Sequence, residues 1–266
     1  MSSIKEKFRN AKANGEGLLI GYLTAGDPTP EATPKLADAL IGGGVDILEL
    51  GLPFSDPIAD GPTIQEASLR ALNAGTTPLK VLEIAKEIKA QHDIPLVVMT
   101  YYNPVFHYGI ENFLRKAKAA GVNGFIVPDL PVEEADEYRK AANIAGLNTI
   151  FLASPATSDA RLQKIVAASS GFLYLVSRFG VTGTQSDVAD STVQLIRRVL
   201  PFTAGKVPLA VGFGISKPEH VKRVIQAGAD AAIVGSAFIN VVAQNQPSML
   251  SDLQTAASAL KSATKP

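Results

Sequence analysis

The sequence has 266 residues, enough to bury one large core. Its 25 basic and 25 acidic residues give a formal net charge of zero, which argues against a general surface for nucleic acid or anionic membranes. It contains no cysteine, which excludes disulfides, thiolate metal sites and cysteine nucleophiles, and fits a reducing compartment.

The amino-terminal segment, residues 1–17, is polar and mixed in charge. It lacks the apolar core of a signal peptide. Ile4 and Phe8 lie at helical spacing, which predicts a short amphipathic helix. No apolar run in the sequence approaches the ~20 residues of a membrane span, so we expect no membrane segment.

A short pattern of glycine, apolar residue, Asp or Asn, and strand-like run recurs along the chain. The glycine suits the left-handed residue that closes a helix, and the short polar residue suits a tight turn into a strand. The pattern therefore predicts repeated helix–turn–strand joints, as in a barrel or a doubly wound sheet. The copies are GGVDILEL from Gly43, AGVNGFIV from Ala120, AGLNTIFL from Ala145 and AGADAAIV from Ala227.

Eight strands are predicted, with helices between them such as 31–42 and 131–145. Eight is the number that a closed barrel needs, so we predict an α/β fold, a (β/α)8 TIM barrel with a short N-terminal helix, as one domain over residues 1–266. An open doubly wound sheet is the alternative, but the regular units favour closure. Longer connections follow the second and sixth strands, where extra residues are expected on the catalytic face. The strands start near Leu18, Asp46, Ile94, Gly124, Asn148, Phe172, Pro208 and Ala231.

The stretch DILELGLPFSDPIADGPTIQ, residues 46–65, contains two candidate catalytic acids. Side chains alternate along a strand, so Glu49 lies on the same face as Ile47 and Gly51. We expect that face to point into the barrel, where burial raises the pKa of Glu49. Asp60 follows in the loop directly after the strand. Two carboxyl groups that reach one pocket suggest a divided acid and base.

Two plainer interpretations of these acids stay open at the level of sequence. In the first, Glu49 is half of a salt bridge inside the barrel. In the second, Asp60 is the N-cap of a helix that begins near Thr63, since Pro62 suits a first turn.

Two glycine turns are predicted at the ends of the last two strands. VGFGIS contains Gly212 and Gly214, and IVGSAF contains Gly235 and Ser236. The loops after strands seven and eight of such barrels commonly bind phosphate through backbone N–H groups and a helix N-terminus. We therefore expect a phosphorylated small molecule to bind here, with tight-turn geometry alone as the alternative. The run SRFGVTG, residues 177–183, follows the sixth strand and predicts a mobile lid.

The run ELGLPFSDPIADGP, residues 49–62, and the run YLTAGDPTP from Tyr22 resemble the tryptophan synthase alpha subunit family. The resemblance extends nearly end to end. It implies a lyase that cleaves indole-3-glycerol phosphate to indole and glyceraldehyde 3-phosphate by a retro-aldol reaction. It also implies that Glu49 donates and accepts the proton at C3 of the indole ring, and that Asp60 binds the indole N–H.

The resemblance implies further site residues. Thr182 is expected to contact the catalytic aspartate from the lid, and Gly183 to join the phosphate turns. A flat apolar slot for the indole ring is also expected, although each of its residues taken singly is more often ordinary core. The indole pocket residues are Tyr22, Ile64, Tyr101, Leu152, Tyr174 and Phe213.

The resemblance also implies a partner. The family works with a pyridoxal-phosphate beta subunit that receives the indole, so we expect an alpha2beta2 complex in the cytoplasm, active in tryptophan biosynthesis, with no cofactor in this chain. The three histidines are scattered, and no metal site is expected. The positions that match partner-facing loops are Pro53, Asp56, Pro57, Asn103, Phe106 and Asp129.

Three other functions remain as alternatives. A partner-independent indole-glycerol-phosphate lyase would use the same catalytic residues. A mainly regulatory barrel subunit would bind glycerol phosphates and switch a partner enzyme, and it would not need to keep both Glu49 and Asp60. A phosphosugar isomerase on the same barrel would share the phosphate turns but would not need the aromatic slot.

Overall fold

A parallel sheet of nine strands, with helices outside it, organises the described parts of the chain. The structure is a computed structural model, and it describes residues 3–177, 190–212 and 214–265. The elements are α1 Ile4–Ala13, β1 Leu18–Thr24, α2 Thr33–Gly42, β2 Ile47–Gly51, α3 Pro62–Asn73, α4 Pro78–Gln91, β3 Leu96–Met99, α5 Tyr102–His107, α6 Ile110–Ala119, β4 Gly124–Ile126, a 3₁₀ turn Val132–Glu134, α7 Asp136–Ala145, β5 Asn148–Ile150, β6 Leu152–Ala153, α8 Asp159–Ala168, β7 Leu173–Val176, α9 Asp190–Thr203, β8 Leu209–Gly212, α10 Pro218–Gln226, β9 Ala231–Val234, α11 Ser236–Gln244 and α12 Met249–Ser262.

The sheet closes into a barrel at Phe151. The strand order is β5-β4-β3-β2-β1-β9-β8-β7-β6, so β5 and β6 stand at its two ends. Only Phe151 separates them in sequence, and β5 pairs with β4 while β6 pairs with β7. They are therefore two halves of one staggered strand, as closure of a tilted sheet requires. The predicted eight-stranded (β/α)8 barrel is confirmed, with its fifth strand interrupted.

The helices depart from the predicted boundaries in two places. The expected helix over 131–145 is wrong in its first part, because Ala135 has φ −90° and ψ 4° and separates a 3₁₀ turn from α7. Short 3₁₀ turns are frequent at helix N-termini. The helix expected over 31–42 begins at Thr33, with Pro34 in its first turn, where proline is favoured.

The recurring glycine pattern has the predicted backbone role. Gly44, Gly121, Gly146 and Gly228 all have positive φ, between +66° and +108°. Glycine adopts this conformation without the steric penalty of a Cβ atom. Each residue therefore turns the chain from a helix into the next strand.

The Asp or Asn side chain of that pattern also accepts a hydrogen bond from the backbone of a neighbouring strand, a contact that the sequence did not predict. Oδ2 of Asp46 accepts a hydrogen bond from the Leu19 N–H at 2.8 Å, and Oδ2 of Asp230 accepts one from the Leu209 N–H at 2.7 Å. Oδ1 of Asn123 accepts one from an N–H of β3 in the same way. These bonds satisfy strand-entry N–H groups at the amino-terminal end of the barrel.

Two apolar layers lie on either side of the barrel wall. The outward side chains of β2, including Leu48 and Leu50, pack in the large cluster beneath the outer helices. Ile47 packs in a separate cluster inside the barrel, where Phe8 of α1 lies 6.0 Å from the ring of Phe172. The amphipathic helix α1 therefore closes the amino-terminal end, and the predicted inward face of β2 is confirmed.

The connections on the opposite, carboxyl-terminal end carry the candidate site. The long connection after β2 holds a loop, residues 52–61, followed by the additional helix α3. Of the long connection after β7, residues 178–189 lie outside the described ranges. None of the helices in the described ranges has both the length and the apolar composition needed to span a membrane.

Candidate active site

Glu49 is a buried acid in the middle of β2. It lies opposite Tyr22 of β1 and Val97 of β3 in the sheet register. The residue is 1% exposed, and its Oε2 atom has no hydrogen-bond partner among the described residues. No ion pair in the described ranges includes Glu49, so they give no support to the salt-bridge alternative. A buried carboxyl group without a partner is costly unless it is neutral or used in chemistry.

The electrostatic surroundings make Glu49 an acid near neutral pH. Burial raises its pKa to about 8, and the negative charge of Asp60 adds to the increase. The direction is the one expected from sequence. A carboxyl group with this pKa holds its proton at pH 7 and can still release and recover it.

Asp60 lies at the end of the loop that follows β2 and is 7% exposed. The Tyr101 hydroxyl donates a hydrogen bond to its Oδ2 at 3.0 Å and accepts one from the Ala59 N–H at 2.9 Å. Burial raises the pKa of Asp60 to about 6, and the bond from Tyr101 acts in the opposite direction. The N-cap alternative is wrong, because Gly61 is the N-cap of α3 and no side chain caps it.

Two further tyrosines, Tyr22 of β1 and Tyr174 of β7, reach the space around these acids. A Cβ atom on Gly51 would lie 2.0 Å from the Tyr22 hydroxyl, and one on Gly212 would lie 2.6 Å from the Tyr174 hydroxyl. Burial raises the pKa of both phenols, and the charges of Glu49 and Asp60 raise it further. The glycines at the strand ends therefore make room for tyrosine hydroxyls, which sequence analysis missed. A glycine within a strand is a general sign of such close approach.

The predicted indole pocket residues that the structure describes lie at the carboxyl-terminal mouth of the barrel. Tyr22 and Ile64 pack in one apolar cluster with Ala67 and Ile239, and Leu152 pairs with Tyr174 in the barrel wall. The Tyr101 ring is stacked on Phe54, with centroids 5.1 Å apart. Phe213 lies outside the described residues.

The predicted phosphate turns lie side by side. Gly212 ends β8, Gly214 has φ +83°, and the neighbouring strand β9 is followed by Gly235 as the N-cap of α11 and Ser236 as its first residue. A helix N-terminus presents unpaired N–H groups, which suit an anion. A Cβ atom on Gly235 would lie 3.4 Å from the ring of Tyr22. Because Tyr22 is the register partner of Glu49, this turn lies close to the two acids. Thr182 and Gly183 lie outside the described residues.

The residues predicted to face a partner differ in exposure. Asp56, Asn103 and Asp129 are exposed, and Phe106 is 63% exposed. Pro57 is half-buried, whereas Pro53 is buried and shapes the loop instead of offering surface. Oδ1 of Asp129 accepts a hydrogen bond at 2.9 Å from the first N–H of α5. Ile58, which the sequence analysis did not select, is 77% exposed in the same loop as Asp56.

The described part of the chain contains no group of three or more His, Asp or Glu residues that could hold a metal ion. The expectation of no metal in this chain stays a prediction.

A closed parallel barrel, with a pair of buried acids and two glycine turns at its carboxyl-terminal mouth, defines an acid–base barrel enzyme for a small phosphorylated substrate. Comparison with known proteins narrows this class. The family described as "Tryptophan synthase alpha chain" matches residues 8–265. The chain belongs to the tryptophan synthase alpha chain family.

Individual relatives cover the chain almost completely. The tryptophan synthase alpha chain of Methanosarcina barkeri is 50% identical over 262 residues, covering 98% of this chain and 97% of the relative. That of Methanopyrus kandleri is 52% identical over 239 residues, covering 90% and 86%. A structure of Mycobacterium tuberculosis tryptophan synthase matches with a TM-score of 0.92 and 35% identity over 100% of both chains. A tryptophan synthase complex from Pyrococcus furiosus matches with a TM-score of 0.86 and 41% identity, covering 92% and 98%.

Proposed function

We propose that this chain is the lyase subunit of a tryptophan synthase and cleaves indole-3-glycerol phosphate to indole and glyceraldehyde 3-phosphate. The observation that carries the proposal is the buried Glu49, whose Oε2 atom has no partner in the described residues and whose charge interacts with that of Asp60. Family membership identifies the substrate for which such a pair of acids is suited.

The two acids divide the work of a retro-aldol cleavage. Breaking the bond between the indole ring and the glycerol chain requires the ring to accept electrons, which it does after protonation at C3. Glu49, protonated at neutral pH by its pKa of about 8, supplies that proton. Asp60, with its pKa of about 6, is then a carboxylate that stabilises the positive charge at the ring nitrogen. Glu49 can next accept the proton of the side-chain hydroxyl as the carbon–carbon bond breaks.

The remaining predicted residues bind the two ends of the substrate. The turns with Gly212, Gly214 and Gly235, and the α11 N-terminus at Ser236, suit the phosphate. The apolar cluster that contains Tyr22 and Ile64, at the same mouth of the barrel, suits the flat indole ring. The proposal also assigns Thr182 to a contact with Asp60 and Gly183 to phosphate binding, and both lie outside the described residues.

We also propose a pyridoxal-phosphate beta subunit as the partner, in an alpha2beta2 complex in the cytoplasm, with no cofactor in this chain. Large apolar side chains are exposed at one edge of the site, Ile58 in the Asp60 loop and Phe106 in α5. Exposed apolar groups of this kind are typical of protein interfaces. Since Ile58 is two residues from Asp60, binding of a partner at this loop would act directly on the position of the carboxyl group.

The test is indole release from indole-3-glycerol phosphate, measured with and without a tryptophan synthase beta subunit. The chain has no tryptophan, so indole fluorescence is read against a low background. We expect slow release that the partner increases strongly. Glu49→Gln should lower kcat by about 10²- to 10⁴-fold. Glu83→Gln, at an exposed glutamate on α4, is the matched control and should leave kcat unchanged.

Two of the alternative functions predict different results in this assay. Fast release without the partner would indicate a partner-independent lyase. Binding of glycerol phosphate without any release, in either condition, would indicate a regulatory subunit and overturn the proposal.

A further inference from the structure

The Tyr22 hydroxyl has a position that packing alone does not explain. Its ring lies among the apolar side chains of Ile64, Ala67 and Ile239, where phenylalanine would fill the same space. The hydroxyl is nevertheless buried against Gly51, which has no side chain at the position that the hydroxyl occupies. Because a buried hydroxyl is costly unless it is hydrogen-bonded, the phenol requires a polar role.

The hydrogen bonds around this hydroxyl leave one proton unused. The Tyr22 and Thr24 hydroxyl oxygens lie 3.2 Å apart, and either atom can be the donor. This is the single side-chain bond of each hydroxyl within the described ranges. Two hydroxyl groups carry two protons, and one bond between them uses one. When Thr24 donates to Tyr22, the phenol proton is left for a ligand.

The Tyr22 hydroxyl lies beside the reacting part of the site. Tyr22 is the register partner of Glu49 on the inward face, and its hydroxyl lies against Gly51, two residues beyond Glu49 along β2. The base of its ring borders Gly235 in the proposed phosphate turn. Burial raises the pKa of the phenol, and the charges of Asp60 and Glu49 raise it further, so the phenol stays protonated and remains a donor.

We propose that the Tyr22 hydroxyl, oriented by Thr24, donates a hydrogen bond to the substrate side-chain oxygen that becomes the aldehyde oxygen of glyceraldehyde 3-phosphate. The inference rests on the proposed lyase function. This oxygen belongs to the carbon between the indole ring and the phosphate end, so it lies between the regions that Glu49 and Gly235 border. The hydroxyl is then a catalytic residue in addition to the two acids.

The step is balanced without any proton leaving Tyr22. The bond between indole C3 and the side-chain carbon breaks, and its electrons return to the protonated ring. The proton of the substrate side-chain hydroxyl passes to the Glu49 carboxylate while the carbon–oxygen double bond forms. The Tyr22 hydrogen bond stabilises negative charge on this oxygen before the double bond is complete. In the reverse direction it polarises the aldehyde toward attack by indole.

Tyr22→Phe tests the assignment, because it removes one oxygen atom and keeps the ring. In complex with a beta subunit, kcat should fall about 10- to 100-fold in both directions, a loss at or below that for one oxyanion donor. Binding of glycerol 3-phosphate should change less than about twofold, since the phosphate turns are intact. Thr24→Val, which removes the orienting hydroxyl, should lose about tenfold in kcat.

Tyr138→Phe is the matched control. Tyr138 on α7 is another buried tyrosine, and it lies outside the site. Its hydroxyl has no partner among the described residues. Its variant should keep wild-type kcat, which separates loss of the Tyr22 contact from loss of any buried hydroxyl.

Two results would overturn the inference while leaving the lyase function intact. One is wild-type kcat in Tyr22→Phe. The other is a kcat of Tyr22→Phe that returns to the wild-type value at a different pH. That result would show that the hydroxyl acts on the pKa of Glu49 and does not bind the substrate oxygen. An inactive wild-type complex would instead refute the lyase function, and the inference with it.

Discussion

Tyr101 and Asp60 form the hydrogen bond that fixes the second acid of the site. The Tyr101 hydroxyl donates to Oδ2 of Asp60 at 3.0 Å across 41 residues of sequence, and its ring is stacked on Phe54 of the same loop. Tyr101, which follows β3, therefore fixes the loop 52–61 that follows β2. Any partner that moves this loop must either carry Tyr101 with it or break the bond.

The pH dependence of kcat/KM should be bell-shaped. Asp60 must be ionised to stabilise the ring cation, so activity should fall as the pH decreases through about 6. Glu49 must be protonated to protonate C3, so activity should also fall as the pH rises through about 8. Steady-state kinetics from about pH 4.5 to about pH 10 would measure both limbs. A profile without a limb near 8 would refute the role of Glu49 as the acid.

Tyr101→Phe should move the acid limb upward. The lost bond lowers the pKa of Asp60 in the wild type, so its removal raises that pKa. We expect a loss of about tenfold in kcat/KM at pH 6, with a smaller loss at pH 8, where Asp60 stays ionised. The same kinetics on Tyr138→Phe provide the control. An acid limb that does not move would show that the bond has no effect on Asp60.

Glu49→Gln should become more stable than the wild type at alkaline pH. The folded-state pKa of Glu49 is raised from 4.5 to about 8. Its contribution to stability is therefore complete below the unfolded pKa and is lost as the pH rises through the folded one. A neutral glutamine has no such loss. Urea unfolding should show a difference in unfolding free energy between the variant and the wild type that grows from about pH 4.5 to about pH 8. A constant difference would contradict the buried, unpaired state of Glu49.

Arg70→Ala should destabilise the protein by about 2 kcal/mol. Arg70 of α3 binds both carboxylate oxygens of Asp27, at 2.7 and 2.8 Å, and Asp27 is 1% exposed. Truncation of Arg70 leaves the buried carboxylate of Asp27 unpaired. Because Arg70 is partly exposed, we expect the loss of unfolding free energy to be below the ~3–5 kcal/mol of a fully buried pair. Lys80→Ala breaks an exposed pair on α4, where solvent screens both charges, and should leave the unfolding free energy nearly unchanged. Equal costs in urea unfolding would contradict this difference.

Local chemistry in the sequence determined the repeated joints and the direction of Glu49. The glycine of each joint needs positive φ whatever surrounds it, and the alternation of β2 places Glu49 opposite Leu48 and Leu50. Both are properties of a few consecutive residues. The motif from Glu49 to Pro62 was also sufficient for recognition of the family, since one continuous run of sequence carries it.

Only the tertiary structure decided where the barrel closes and what surrounds the acids. The interruption at Phe151 arises because one strand must pair with β4 along its first half and β7 along its second. The bond from Tyr101 to Asp60 and the placement of the Tyr22 hydroxyl against Gly51 depend on residues from different strands. A sequence specifies such contacts only through the fold as a whole, because the geometry that brings distant residues together is set by closure and not by spacing along the chain.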